Sequence, residues 1–460
     1  MADWNKSKVT ILGLGRSGIA AARYLAERGA QVFVSDSASP DAERQKQAGE
    51  LEAEGVKVEL GQHSDEAIDF GSLVITSPGI SPNTDVIRKA RNLGKEVICD
   101  VELAFRETKA PIIAITGTNG KSTTCALISF ILEKSGRVAP ACGNIGVPIL
   151  TQLERKPDYL VVEVSSYQLE YCSAFSPKVG VWLNLTPDHL DWHGGLEEYI
   201  RTKRKLFANQ QPDQYAVLNM DDPIVNRTTT RSEIFPFSAN SPMEHMVQGA
   251  FVNEDFLCYR ILGRNRIVCG INELKILGRH NVENALAAIS VAAVLRMEHN
   301  EIALYLKQFE GLEHRLEYVS TIDGIPYYND SKATNPESAI KALESFPGKP
   351  VVLIAGGRDK GTPLGEFVHS VRNHAAAVIL LGEAKQRFET ALREGGFENI
   401  HSVSSLEEAV DLGGKLKLGP VLLSPACASF DMFKDFENRG RVFKDIVRAR
   451  LDKVAPPVQG

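Results

Sequence analysis

Between Ala114 and Thr124 the chain reads A-I-T-G-T-N-G-K-S-T-T, an apolar strand that enters a glycine-rich turn and leaves as a helix. Such a turn makes a phosphate site when a buried strand delivers the loop to the mouth of a helix, which points to an α/β organisation around it. Gly117 and Gly120 let the backbone curl around Thr118 and Asn119 with its N–H groups inward, and the helix adds its positive dipole end. Lys121 can then reach the β- and γ-phosphates of a nucleotide, and Ser122 or Thr123 can hold Mg²⁺. The spacing is shorter than the usual G-x-x-x-x-G-K-[ST], because Ile115 stands where the first glycine of that pattern falls. The mechanism does not need that glycine.

A chain of 460 residues is too long for one hydrophobic core and should divide into about three domains. Apolar runs such as Ile112–Ile115 are far below membrane-spanning length, and Met1–Lys6 lacks a basic-then-apolar signal layout. The expectation is a cytoplasmic, monomeric protein with no membrane partner. The seven cysteines contain no C-x-x-C pair, which argues against a zinc ribbon or a disulfide framework. A net charge of −6 gives no basic footprint for nucleic acid, so anionic ligands must be met by local Lys and Arg clusters.

Strand and helix alternate from the start, with strands expected at Val9–Leu12, Val32–Ser35, Leu73–Thr76 and Val97–Ile98, and a helix from about Gly18 to Glu27. This predicts a Rossmann-like N-terminal domain over 1–105. A P-loop-type central domain follows over 106–311, with strands at Tyr159–Val164, Val179–Leu185 and Tyr215–Asn219 and a β-rich insertion at 226–270. A Rossmann-like C-terminal domain over 312–460 has strands near Tyr327–Tyr328, Val351–Ala355, Val378–Leu381 and Val421–Ser424.

Gly13-Leu14-Gly15-Arg16-Ser17-Gly18 follows the first strand, and Asp36 ends the second. The pattern promises a diphosphate at a helix N-terminus and a carboxylate for a ribose or base edge, so NAD and any nucleoside diphosphate both fit. Glu163 ends an apolar strand beside the phosphate loop, where either a Mg²⁺ ligand or a helix N-cap belongs. His189 and His193 have i,i+4 spacing, but zinc would need a third ligand that the spacing does not offer, and His189 alone is the better metal contact by position. Tyr199–Phe207 reads by composition as a solvated basic helix face. Gly278–Asn284 opens an Ala-rich helix whose amides can read a purine edge. His314-Arg315, Asn329–Asn335, Gly356–Gly361 and Ser424–Asp431 all fall at strand ends or junctions, as the wall of a ligand crevice would.

These motifs resemble the Mur ligase family, ATP-dependent amino-acid-adding enzymes of peptidoglycan synthesis. The resemblance runs nearly end to end, through T-G-T-N-G-K-S-T at 116–123, G-N-I-G at 143–146, E-V-S-S-Y-Q-L-E at 163–170, N-L-T-P-D-H-L-D at 184–191, G-R-H-N-V-E-N at 278–284 and H-R at 314–315. N-D-S-K-A-T-N at 329–335 and S-P-A-C-A-S-F-D at 424–431 are most similar to the branch that adds D-glutamate to UDP-N-acetylmuramoyl-L-alanine. The resemblance implies that Gly15, Arg16 and Ser17 meet the UDP diphosphate, Asp36 lies near uracil, and Asn144 and Ser165 meet the sugar–peptide part. ATP would lie on Gly117–Thr123, with Asn281 and Asn284 at adenine and Arg315 and Asp330 at phosphates and ribose. Two Mg²⁺ ions are implied, one on Ser122 and Glu163, the other on His189 and a CO₂-derived carbamate of Lys203. Lys121, His189 and Lys203 would be the catalytic groups. D-glutamate would be held by Lys332, Thr334, Lys360, Ser429 and Phe436.

Sibling Mur ligases and the folylpolyglutamate synthetases would share the ATP machinery and differ in the third domain. An NAD-dependent oxidoreductase explains the first domain only, and a nucleotide-switched binding protein would bind ATP without substrate-dependent turnover.

Overall fold

The computed structural model describes residues 3–144, 146–241, 245–346, 348–359 and 361–454. Among the described residues three sheets follow one another along the chain. In the first, β1 (Lys8–Leu12), β2 (Gln31–Asp36), β3 (Lys57–Leu60), β4 (Leu73–Thr76) and β5 (Glu96–Ile98) are all parallel in the order β3-β2-β1-β4-β5. Helices cover both faces, which is why Val9, Ile11 and Leu12 form a nearly unbroken buried run. The order reverses between β1 and β4, so a crevice opens beyond their C-terminal ends, where Gly13–Gly18 lies.

The second sheet contains β6 (Ile112–Thr116), β7 (Ala141–Gly143), β8 (Leu160–Glu163), β9 (Val179–Trp182), β10 (Tyr215–Asn219), β11 (Glu233–Ser238), β12 (Gly249–Asn253), β13 (Phe256–Ile261) and β14 (Arg264–Gly270). Its order is β14-β13-β12-β11-β10-β9-β6-β8-β7, parallel from β7 through β12 and antiparallel over β12-β13-β14. The strands of 226–270 therefore lengthen this sheet. Because β6 lies between β8 and β9, the segments that leave these three strands emerge side by side.

The third sheet has β15 (Glu317–Ile322), β16 (Ile325–Asn329), β17 (Val351–Gly356), β18 (Ala375–Leu381), β19 (Ile400–Ser402) and β20 (Val421–Leu423), in the order β15-β16-β20-β17-β18-β19. Only β15 is antiparallel to its neighbour. The polar segments after Asn329, Gly356 and Leu423 thus leave three adjacent strands at one edge.

The chain forms two compact units, Met1–Glu273 with Val282–Lys307, and Leu274–Asn281 with Gln308–Gly460. In the first unit the two sheets share a continuous apolar core that reaches from Val9 through Trp182 to Val225. A polar clasp reinforces it. Glu102, fully buried on the helix Asp100–Glu107, accepts from the backbone N–H groups of Ser173 (3.2 Å), Ala174 (3.0 Å) and Phe175 (3.0 Å) and from Arg106 Nε (2.9 Å). Among the described residues no helix is long and apolar enough to cross a membrane.

Two glycines of the first loop differ in what they exclude. A Cβ on Gly18 would lie 2.0 Å from Gly13 O, whereas one on Gly15 meets nothing within 4 Å. Gly18→Ala should cost roughly 1–3 kcal/mol, and Gly15→Ala within about 0.5 kcal/mol of nothing, in urea unfolding of the full chain. Equal losses would mean that the close approach at Gly18 relaxes freely.

Candidate active site

At the end of β6 the chain turns through Gly117 (φ 155°) and Gly120 (φ 83°) into the helix Lys121–Lys134. A Cβ on Gly120 would lie 2.4 Å from Asn284 Oδ1, so the loop presses against the helix that carries Asn284. Asn284 also accepts from Thr124 Oγ1 at 3.1 Å. Lys121 Nζ folds back over the turn and donates to Gly117 O (3.0 Å) and Thr118 O (2.8 Å). The loop is braced from the end of β9, where Asn184 Oδ1 accepts from the N–H groups of Thr118 (3.1 Å) and Asn119 (2.9 Å). Thr118 Oγ1 donates to Thr186 O (3.1 Å) and lies 3.2 Å from the Tyr199 hydroxyl.

Glu163, at the end of β8, receives Ser122 Oγ at 2.7 Å and Asn144 Nδ2 at 2.8 Å. Asn144, expected at the sugar, is thus joined to the Ser122–Glu163 pair. Lys203 lies on the helix Leu196–Ala208, whose apolar Tyr199, Ile200, Leu206 and Phe207 turn it inward. Its side chain is 1% exposed, which overturns the solvated-face reading for this residue. Nζ donates to Gly117 O at 3.0 Å and approaches Thr116 Oγ1 at 3.4 Å, with the Tyr199 ring centroid at 4.8 Å. Burial, then the neighbouring Lys121 cation, push the Lys203 amine well below the ordinary lysine range, with Asp188 opposing them.

His189 takes a left-handed conformation (φ 53°) and is half-exposed, 3.4 Å from Asp188 and with its ring 5.0 Å from that of Tyr167. His193 is buried, with Nε2 2.9 Å from Ser166 Oγ, and burial lowers its pKa to about 4. The two histidines therefore have different environments. Among the described residues no group of three or more His, Cys, Asp or Glu is arranged to hold a metal ion.

In the first sheet, Leu14 N–H donates to Asp36 Oδ2 at 2.6 Å and Ala38 N–H to Oδ1 at 2.8 Å, so Asp36, expected near uracil, also shapes the loop. Gly15 and Arg16 are exposed at the helix mouth, and Arg16 reaches Gly146 O at 3.1 Å. Ser17 lies beside the buried Asp100 carboxylate, which also accepts from Gln168 Nε2 at 3.1 Å. Gln168 and Ser165 form a capping box at the start of the helix Ser166–Glu170. Burial raises the Asp100 pKa against the hydrogen bonds from Gln168 and Ser17.

Within the second unit, Asn281 is buried and donates to Leu277 O at 2.7 Å, while Arg315 is exposed. Asp330 accepts from Ser424 Oγ (2.7 Å) and Leu316 N–H (3.2 Å), and burial pushes its pKa up to about 7. Lys332 Nζ stands 5.7 Å from the Phe436 ring centroid. Ser429 is buried, and Thr334 lines a small pocket with Pro336, Asp359, Arg387 and Cys427. Lys360 lies outside the described residues.

Three family models match along the chain: the Mur ligase MurD-like N-terminal domain over residues 7–99, the Mur ligase middle domain over 115–292 and the Mur ligase glutamate ligase domain over 314–427. The chain belongs to the Mur ligase family. It is 44% identical to a UDP-N-acetylmuramoylalanine--D-glutamate ligase of Pelotomaculum thermopropionicum, over 97% of this chain and 98% of that one. Identity to the protein of the same name from Caldanaerobacter subterraneus is 42%, over 97% and 99%. In fold it is similar to the UDP-N-acetylmuramate-alanine ligase MurC of Thermotoga maritima, with TM-score 0.59 at 20% identity over 96% of this chain and 99% of that one. It is also similar to MurF of Acinetobacter baumannii, with TM-score 0.58 at 18% identity over 95% and 90%.

For a Mur ligase the Ser122–Glu163 pair has the right chemistry for Mg²⁺, a hard cation usually held by one or two carboxylates together with substrate phosphates. The sequence reading assigned no role to two residues that hold this site, Asn184 and Tyr199. Their signal was available in part, since Asn184 ends a strand beside the loop, but a brace on backbone N–H groups leaves no composition mark.

The Lys203 amine gives a pH signature. Between its depressed folded pKa and the ordinary value of 10.5, the unfolded chain holds a proton that the folded chain has released. The Lys203 contribution to unfolding free energy therefore rises with pH across that window. The stability of Lys203→Met relative to wild type should fall between pH 7 and pH 10, read from urea midpoints in CO₂-free, metal-free buffer. A pH-independent difference would show that Lys203 keeps its proton in the fold.

Proposed function

We infer that this chain is an ATP-dependent ligase that joins D-glutamate to UDP-N-acetylmuramoyl-L-alanine in peptidoglycan synthesis. The geometric observation that carries the reading is the meeting of Lys121, Ser122 and Glu163 at one glycine-rich turn, in a chain that a D-glutamate ligase matches over 97% of its length. A carboxylate is a poor electrophile. Transfer of the ATP γ-phosphoryl group makes it an acyl phosphate, and the amine of D-glutamate then displaces phosphate through a tetrahedral intermediate.

Lys121 and the N–H groups of the turn hold the triphosphate, and their charge offsets the repulsion among nucleotide, substrate carboxylate and incoming glutamate. Ser122 and Glu163 would hold a Mg²⁺ ion, which would supply further charge screening. Gly15, Arg16 and Ser17 hold the UDP diphosphate, with Asp36 near uracil and Asn144 and Ser165 toward the sugar–peptide. Asn281, Asn284, Arg315 and Asp330 serve ATP, and Lys332, Thr334, Lys360, Ser429 and Phe436 serve D-glutamate. Residues 1–105, 106–311 and 312–460 are the corresponding domains of a cytoplasmic monomer.

Lys203 is carbamylated in this reading. Burial and the Lys121 cation favour the neutral form of the Lys203 amine, and a neutral amine that adds CO₂ and releases a proton becomes a carbamate, an anion with two oxygens suited, with His189, to a second Mg²⁺. Lys203→Ala should then lose about 10³-fold or more in kcat, with partial recovery in a short carboxylic acid at high concentration. Lys205, whose Nζ donates to Glu170 O (2.8 Å) and Glu170 Oε2 (2.9 Å), has a separate task, and Lys205→Ala should lose far less. The reverse ranking would return the helix to a structural role.

The activity itself is tested by coupled ADP release across candidate amino acids. Turnover should require UDP-N-acetylmuramoyl-L-alanine and D-glutamate together, and Lys121→Ala should abolish nearly all of it. Equal turnover with L-glutamate or diaminopimelate would reject the substrate assignment.

A further inference from the structure

In the C-terminal unit a single guanidinium ties together the three elements on which the proposed D-glutamate groups stand. Arg439, in the first turn of the helix Phe436–Val454, is 2% exposed. Its Nε donates to Ser331 Oγ (2.9 Å) and its Nη2 to Ser331 O (2.8 Å) and Cys427 O (3.1 Å). Its Nη1 donates to Cys427 O (3.2 Å) and Ala428 O (3.4 Å). Ser331 Oγ passes a further bond to Phe436 O at 2.9 Å. These bonds close a ring through the segment after β16, the segment after β20 and the helix itself.

The neighbours of this ring are the pocket residues. Lys332 follows Ser331, Ser429 follows Ala428, and Phe436 lies one turn before Arg439. The segment after β17 packs on the same group, since a Cβ on Gly357 would lie 3.3 Å from Nη1 and 2.3 Å from Ala428 O. None of the acceptors just named is a carboxylate. A buried guanidinium that spends its donors on main-chain carbonyls sets distances between backbone segments, a task for which its rigid planar fork is suited and a lysine ammonium is not.

We propose that Arg439 is a positioning residue of the amino-acid pocket, fixing the mutual placement of Lys332, Ser429 and Phe436, and with it the affinity for D-glutamate, without touching the substrate. The inference rests on the reading of those three side chains as the D-glutamate groups. Burial lowers the Arg439 pKa to about 10, which leaves the group charged at neutral pH.

The test compares wild type with Arg439→Met, Arg439→Lys and Ser331→Ala. Steady-state ADP release gives KM for D-glutamate, ATP and the UDP-linked substrate. Positional isotope exchange in ATP without D-glutamate reports acyl-phosphate formation. For Arg439→Met the KM for D-glutamate should rise about tenfold or more, the scale of losing charge-assisted hydrogen bonds, and Arg439→Lys should recover part of it. Ser331→Ala, which opens the ring and keeps the cation, should shift the same KM by about threefold or more. KM for ATP and the isotope exchange should stay within about twofold. If Arg439→Met does not fold, the lysine and Ser331→Ala variants decide. An unchanged KM for D-glutamate, or a parallel rise in all three KM values, overturns the proposal. A wild type that uses a different amino acid rejects the functional reading instead, and the same KM comparison is then made on that amino acid.

Discussion

Two lysine side chains, Lys121 and Lys203, donate to the same carbonyl, Gly117 O, each at 3.0 Å. Two ammonium ions on one acceptor repel, and burial of Lys203 adds to the cost of its charge. One outcome is a neutral Lys203; another is a strongly anionic ligand. A nucleotide polyphosphate provides the second, and a neutral amine is the species that can react with CO₂. The curl of the chain at 116–120 thus offers one carbonyl to Lys121 and to a lysine more than eighty positions downstream, and their mutual repulsion adds to the burial that disfavours the Lys203 charge.

That curl depends on its braces. Asn184 holds two N–H groups, Thr118 links to Thr186 and Tyr199, and Asn284 fills the space that a side chain on Gly120 would need. Similar braces recur elsewhere. Asp36 holds the backbone of Leu14 and Ala38, Glu102 clasps three N–H groups at 173–175, and Arg439 gathers the carbonyls of Ser331, Cys427 and Ala428. Asp36, Asn184, Glu102 and Arg439 each set a polar side chain against main-chain partners, and for the buried Glu102 and Arg439 the loss of one such partner typically costs about 1–3 kcal/mol. The ligand-binding loops can then be rich in glycine and still keep a defined shape.

The sheet orders explain why these loops meet. In the central sheet β6 is flanked by β8 and β9, so the Gly117–Gly120 turn, Glu163 and Asn184 emerge together, and in the third sheet β16, β20 and β17 bring together the segments after Asn329, Leu423 and Gly356. Parallel strands with helical crossovers deliver every second connection to the same edge, and that edge becomes the binding edge.

Much of this was legible in the sequence. The α/β class follows from alternating apolar runs and helical stretches, and the strand–turn–helix at 112–134 from an apolar run, Gly117 and Gly120, because these signals are local and depend on backbone freedom and side-chain type. The end-to-end motifs were sufficient to place the chain among the Mur ligases. The half-exposed strand Lys57–Leu60 and the irregular strand Glu317–Ile322 were missed because their apolar signal is short and interrupted. What only the tertiary structure decided is which polar residues face inward. Lys203 sits in a run of four basic residues in five, and nothing in that run separates it from Arg204 or Lys205. Helical phase against the sheet buries Lys203 and leaves Lys205 to Glu170. The joining of Asn144 to Glu163, the brace at Asn184 and the ring through Arg439 likewise rest on long-range strand order, which local sequence does not encode.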